Sequence, residues 1–175
     1  PEWIDDTLEK EMIADGRLRA GHDKGRIYKI FPEEAKLHDS AILAGKGPEE
    51  LARFMDSPNG WQRDTAHMML TWLDEGEQKK AIPNLHKVLK SEHPAARAQA
   101  LSALTDIEGL SVKAMRSGLN DNHPGVRRNA LRVGGNLLNQ DSKLGQLAVA
   151  LLDDEDAHVQ RRAAYTLGYW DCLLY

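Results

Sequence analysis

SEHPAARAQALSAL, residues 91–104, decides the fold, because three other stretches of the chain repeat its plan. SPNGWQRDTAHMML begins at Ser57, DNHPGVRRNALRVG at Asp121 and DEDAHVQRRAAYTL at Asp154, and all four align without internal gaps at offsets of 34, 30 and 33 residues. Self-similarity at such a period marks a repeat architecture. An alanine returns as Ala66, Ala100, Ala130 and Ala163. An arginine returns as Arg63, Arg97 and Arg127, with Gln160 in the fourth copy and Arg161 beside it.

Each copy reads as the second helix of a pair. Pro94 opens the helix at a first-turn position, where the backbone N–H has no partner to lose. Ala96, Ala100, Ala103, Leu104 and Ile107 then fall at i, i+4, i+7, i+8 and i+11, one face of a 3.6-residue helix. The same column is Val126, Ala130, Val133, Gly134 and Leu137 in the third copy, opened by Pro124. It is Val159, Ala163, Thr166, Leu167 and Trp170 in the fourth, and Gln62, Ala66, Met69, Leu70 and Leu73 in the first. An apolar first helix precedes, as Ile82, Leu85, Val88 and Leu89 do in the second unit. Glycine and proline are expected at turns or helix starts, with Gly134, Gly135 and Gly168 near second-helix ends as the exceptions. One such pair cannot bury its apolar stripe, whereas stacked pairs share a continuous core. The expectation is an all-α, right-handed α-solenoid of about four helix pairs over residues 47–175. The alanine column marks the close approach of neighbouring helices, and Leu70, Leu104 and Leu167 belong to the core.

Composition narrows the function classes. Hydrophobic residues make up 41% of the 175, enough for a packed core. No apolar run approaches the length of a membrane span. With 23 Lys+Arg against 27 Asp+Glu, the net charge of −4 argues against a dedicated nucleic-acid binder. The single cysteine, Cys172, excludes an internal disulfide framework and a Cys-rich metal site, and nothing beside it activates a nucleophile. The opening PEWIDDTLEK carries no signal-peptide pattern. No nucleophile-elbow, phosphate-loop or dinucleotide-binding motif occurs.

Residues 1–46 do not fit the repeat and read as a short N-terminal extension. Asp5 and Asp6 can cap a helix through about Asp15, with Gly16 as its stop. Arg26–Phe31 is rich in β-formers and is ended by Pro32. A lone strand has no partner in an all-α array, so it reads as the tail of an upstream sheet.

The turn-then-helix pattern, polar turn, Pro, Val/Ala-Arg-x-x-Ala-Leu/Ala, resembles the HEAT family of armadillo-like helical repeats, in particular the short repeats of phycobilisome-lyase-like proteins. That resemblance covers residues 47–175. A second one rests on Pro1–Ile4, Arg19–Ile30 and Ser57–Ala66, which resemble the junction inside large membrane-bound dehydrogenases of planctomycete-type bacteria. There a β-propeller precedes HEAT repeats and a haem-binding cytochrome c-like domain often follows. It implies that residues 1–46 are the tail of the propeller and that this chain is a spacer of an exported, periplasmic oxidoreductase. The parent's catalytic residues would precede Pro1, and its haem site would follow Tyr175.

On this reading the segment is a non-catalytic protein-interaction or scaffold module, without cofactor or metal. Its partners are another protein or neighbouring domains of the same polypeptide. The apolar end TLGYWDCLLY offers a self-association surface. The arginines Arg63, Arg97 and Arg127 are structural, stacking between repeats and pairing with turn acids and carbonyls. The candidate binding stripe lies opposite the core column, on the concave face such arrays use. It comprises Met68, Trp72, Ser102, Arg128, Arg132, Arg161, Tyr165 and Tyr169, together with Asp64, Ala98, Asp106 and Asn136. Trp, Tyr and Arg dominate binding energy once desolvated. Two alternatives stand beside this. One is a lyase-like protein acting on a tetrapyrrole-bearing partner. The other is nucleic-acid backbone binding through Arg128, Arg132 and Arg161, in a basic cluster that includes Arg127 and Arg162 and that Asp153–Asp156 would blunt. His93 and His123 take equivalent turn positions, without metal-ligand spacing. Trp61 is expected to pack.

Overall fold

The computed structural model describes residues 6–15, 32–34, 43–168 and 170. The chain divides into two units, Pro1–Ser40 and Ala41–Tyr175. In the first unit the described helix is α1 (Asp6–Ala14), where the sequence predicts one. Its expected cap Asp5, its stop Gly16 and the expected strand Arg26–Phe31 lie outside the described residues.

The second unit holds α2 (Pro48–Phe54), α3 (Gly60–Thr71), α4 (Glu75–Val88), α5 (Pro94–Asp106), α6 (Val112–Leu119), α7 (Pro124–Val133), α8 (Ser142–Ala150) and α9 (Ala157–Leu167). Single 3-10 turns follow at Gly135–Leu137 and Leu151–Asp153. The described residues contain helices and no strand, so the fold is all-α. None of their helices is long and apolar enough to cross a membrane.

Helix starts are written into the repeat. Asn59, His93, His123 and Asp156 occupy the same register position, and each is the extended residue before a second helix. Asn59 accepts from the Trp61 N–H, His123 Nδ1 from Gly125, and Asp156 from His158 and Val159, satisfying donors that the helix leaves orphaned. His93 makes no such bond, but Pro94 removes one of the donors. Asp74, Ser111 and Asp141 cap α4, α6 and α8 in the same manner.

The second helices pack in series, α3 on α5, α5 on α7 and α7 on α9. Of the first helices, α2 packs on α4 and α6 on α8, and each first helix packs on the second helix of its own pair. The repeated alanines Ala66, Ala100, Ala130 and Ala163 have no exposed surface, nor do Leu70 and Leu104, and Leu167 is also buried. Burying a leucine fully stabilises by about 2 kcal/mol. The methyl-sized column lets the helix axes draw together without voids.

Three features depart from the sequence reading. Pro83 stands inside α4, not at a turn or start, and takes one N–H out of the helix ladder. Gly118 and Gly145 also stand inside helices, α6 and α8, and both are buried. A Cβ at Gly118 would lie 2.9 Å from the Ala130 Cβ and 2.8 Å from Leu101, and one at Gly145 would overlap the Trp170 indole. Here close helix contact overrides helix propensity. Trp61, expected to pack, is 60% exposed, because it precedes the column residue Gln62 by one position and is turned off the buried face.

Candidate functional site

The repeated arginines build a seam along the turns. Ser57, Ser91, Asp121 and Asp154 each accept, through the side chain, the N–H two residues ahead, at 3.1, 3.0, 2.9 and 2.9 Å. Their carbonyl oxygens in turn accept from the side chain six residues on: Arg63 at 2.7 Å, Arg97 at 2.8 Å, Arg127 at 2.9 Å and Gln160 at 2.6 Å. The same guanidinium groups reach forward to the next turn. Arg97 donates to Asp121 through Nε at 2.7 Å and Nη2 at 2.6 Å, and Arg127 donates to Asp154 at 2.7 and 2.8 Å. These are two-pronged, charge-assisted pairs. Arg63 has Ser91 in the place of that carboxylate and donates instead to Gln99 Oε1 at 3.2 Å.

Arg97 and Arg127 are 9% and 8% exposed, so both are held inside the seam and away from ligands. Burial pushes the Asp121 carboxyl up, and the Arg97 guanidinium and the His123 N–H together outweigh it, leaving it below the usual carboxylate range. The Arg127 guanidinium, working against burial, holds Asp154 below that range too. Both arginines are held above their ordinary values by the same carboxylates.

On another face of the second helices runs an open groove of about 930 Å³, with walls drawn from α3, α5, α7 and α9. Ser102, Arg128, Arg132 and Arg161 of the predicted stripe line it, with Ala98 and Asp106. Met68, Trp72 and Tyr165 are exposed but not in its wall. Tyr165 borders a smaller adjoining hollow with Arg132 and Arg162. Asn136 also borders that hollow, Asp64 is exposed on α3, and Tyr169 lies outside the described residues.

The sequence reading missed the row formed by Gln99 and Asn129, which with Arg162 directly precedes the alanine column. A polar residue before each repeated alanine was the available signal. The Gln99 amide donates to Asp64 at 2.7 Å. The Asn129 amide donates to the Ala98 carbonyl at 2.6 Å and to Ser102 Oγ at 3.0 Å. Arg132 donates to Asn129 Oδ1 and Ser102 Oγ, each at 3.0 Å. At the α3–α5 end His67 Nε2 lies 2.9 Å from Asp106 Oδ2. Among the described residues no carboxylate or carbonyl engages Arg128, Arg161 or Arg162.

The acidic turn Asp153–Asp156 lies immediately before α9, beside this cluster, and none of its carboxylates bonds to Arg128, Arg161 or Arg162. Asp154 and Glu155 face Arg127, and Asp156 is bound to the start of α9. Arg128, Arg161 and Arg162 are left without a direct counter-ion among the described residues.

Two solved structures, both of engineered proteins from the Northeast Structural Genomics Consortium, are similar to the chain. One is 20% identical with a TM-score of 0.47 and covers 70% of this chain and 61% of its own. The other is 17% identical with a TM-score of 0.45, covering 70% and 62%. The chain spans about three fifths of the length of these engineered chains. No family model matches the chain, and no curated protein matches it.

Proposed function

We propose that residues 47–175 form a right-handed α-solenoid of HEAT-like helix pairs that acts as a non-catalytic interaction or scaffold module. The serial packing of α3, α5, α7 and α9 supports the architecture, as does a seam whose bond back to the preceding turn carbonyl recurs in all four copies. The groove on those four helices carries the functional reading. Its charged lining is mostly guanidinium, which keeps its proton throughout the physiological range. Such groups recognise and hold partners; they do not shuttle protons. The resemblance at Ser57–Ala66 adds a setting, a spacer between redox domains of a larger exported dehydrogenase. Reading the gene on both sides of this segment tests that setting.

The interaction reading is tested with a photo-crosslinking amino acid placed at Ser102 in the groove or at Lys87 on α4, in extract of the source cells. Protein adducts are expected from Ser102 and not from Lys87. Adducts that form equally from both positions overturn the reading, as do adducts to nucleic acid alone.

A further inference from the structure

We infer that the α7–α9 end of the groove is the docking site for a short acidic segment of a partner polypeptide, seated on Arg128, Arg132, Arg161 and Arg162. This rests on the interaction reading above and names its partner's chemistry.

Register is the first support. Asp64, Ala98, Arg128 and Arg161 occupy one position of the repeat, so charge along that column runs from negative on α3 to positive on α7 and α9. Arg128 and Arg161 therefore stand on adjacent helices about 8–10 Å apart. Arg132 lies one helical turn from Arg128, about 6 Å along the axis. Alternate side chains of an extended segment recur about every 6.6 Å. Carboxylates two or three residues apart on such a segment span these distances.

The supply of partners inside the molecule is the second support. Asp154 and Glu155 are committed to Arg127, and Asp156 to the α9 N-terminus. Arg128 and Arg161 are exposed and unpaired among the described residues, in a chain whose overall charge is −4. The amides in the groove wall that could read a peptide backbone are already engaged, Gln99 with Asp64 and Asn129 with Ala98 and Ser102. What remains on offer at this end is guanidinium donors, and the ligand they select is one that brings charged acceptors.

The pattern favours an acidic peptide over a nucleic acid. No phenylalanine, tyrosine or tryptophan lines the groove itself, and Tyr165 in the adjoining hollow is a single ring, so successive bases find no row of stacking platforms there. Arg63 is the one guanidinium at the α3 end of the groove, with Asp64 beside it and Asp106 on α5, whereas Arg128, Arg132, Arg161 and Arg162 gather on α7 and α9, so positive charge is concentrated at that end. A continuous polyanion meets repulsion beyond it, whereas a segment with a few carboxylates does not.

The test uses the full chain and a fluorescein-labelled peptide of about eight residues alternating Glu and Ser, with an all-Ser peptide and an oligothymidylate of the same length for comparison. Binding is read by fluorescence anisotropy at about 50 and about 200 mM salt. The acidic peptide is expected to bind and the all-Ser peptide not to. The double substitution Arg128→Ala, Arg161→Ala should weaken binding at least ~10-fold, about 1.4 kcal/mol. The melting curve should stay unchanged, and Lys87→Ala, Lys90→Ala at the C-terminal end of α4 and the turn after it should leave binding intact. Equal binding of acidic and all-Ser peptides overturns the inference, as does indifference to the double substitution. Tighter binding of the oligothymidylate overturns it in favour of a nucleic-acid site. Protein adducts from Ser102 without acidic-peptide binding leave the interaction reading standing and remove this inference alone.

Discussion

Arg127 and Arg128 are neighbours in α7 and meet opposite fates. Arg127 is 8% exposed, clamped to Asp154 ahead of it and to the Asp121 carbonyl behind it. Arg128, about 100° further round the helix, faces the groove and engages nothing among the described residues. The same pairing recurs in α9 with the seam residue Gln160 and the groove residue Arg161. A repeat that had only to close its core and seam could fill the groove positions with any polar residue. The groove guanidinium groups lack direct counter-charges among the described residues, which is what the proposed acidic partner would meet, and this contrast between seam and groove can be broken or sharpened by substitution.

The largest effects belong to the buried side. Leu104, fully buried among the α3–α5 core residues, should cost about 2–5 kcal/mol on truncation to alanine, read as a lower denaturant midpoint. An unchanged midpoint would contradict the repeat register itself. Next comes Asp154→Ala, which takes the two-pronged carboxylate from the buried Arg127 guanidinium, leaves it only the exposed Glu155 carboxylate at 3.5 Å, and should cost about 3 kcal/mol. The same pair sets an acid limit. Asp121 and Asp154 are depressed in the folded chain, so their contribution is full above the unfolded value of about 3.9 and is lost as pH falls through the folded values. Stability should therefore drop below about pH 4, and Asp154→Ala should show a shallower drop. An identical acid slope in the two proteins would mean that the seam carboxylates do not govern it.

Much of this was legible because the seam is periodic in sequence. Arginine six residues after Ser57, Ser91 and Asp121, with an acid at the next turn for two of the three, describes the bonds that form. The core column was legible for the same reason, since 3.6-residue spacing puts Leu70, Leu104 and Leu167 on the face that also carries the alanines. What resisted reading depends on who the neighbour is. Gly118 and Gly145 look like helix breakers until Ala130 and Trp170 are seen against them. Glu108 takes φ 55°, and Gly109 is the next residue. The space beside Gly109 is filled by Ile82, so the position free of a side chain was needed at 109 and the left-handed position went to glutamate. The bonds that Gln99 and Asn129 make were equally hidden, because only the fold shows that their acceptors lie one repeat away.

A smaller effect tests the seam by completing it. Ser91 holds the register position, relative to Arg63, that Asp121 holds relative to Arg97 and Asp154 to Arg127, and its Oγ already accepts the His93 N–H as the aspartates accept theirs. Ser91→Asp keeps that turn bond and supplies the missing carboxylate. It should stabilise by about 0.5–1 kcal/mol, read as a raised denaturant midpoint that reverts when Arg63→Ala is added. A gain that survives Arg63→Ala would show that the carboxylate acts elsewhere.

The smallest effect on stability is the sharpest for function. Arg128→Ala removes an exposed side chain with no partner among the described residues, and it should move stability by less than about 0.5 kcal/mol. Arg127→Ala, one residue earlier, leaves Asp154 buried without its counter-ion and should cost about 3 kcal/mol. Measured side by side by chemical denaturation, the pair separates the two roles without reference to any ligand. If Arg128→Ala costs as much as Arg127→Ala, both arginines are structural and the groove loses its claim to a partner. If the two differ by the expected margin, Arg127 is structural and Arg128 is not, and the proposed groove site keeps a charge that can be removed in binding experiments without disturbing the fold.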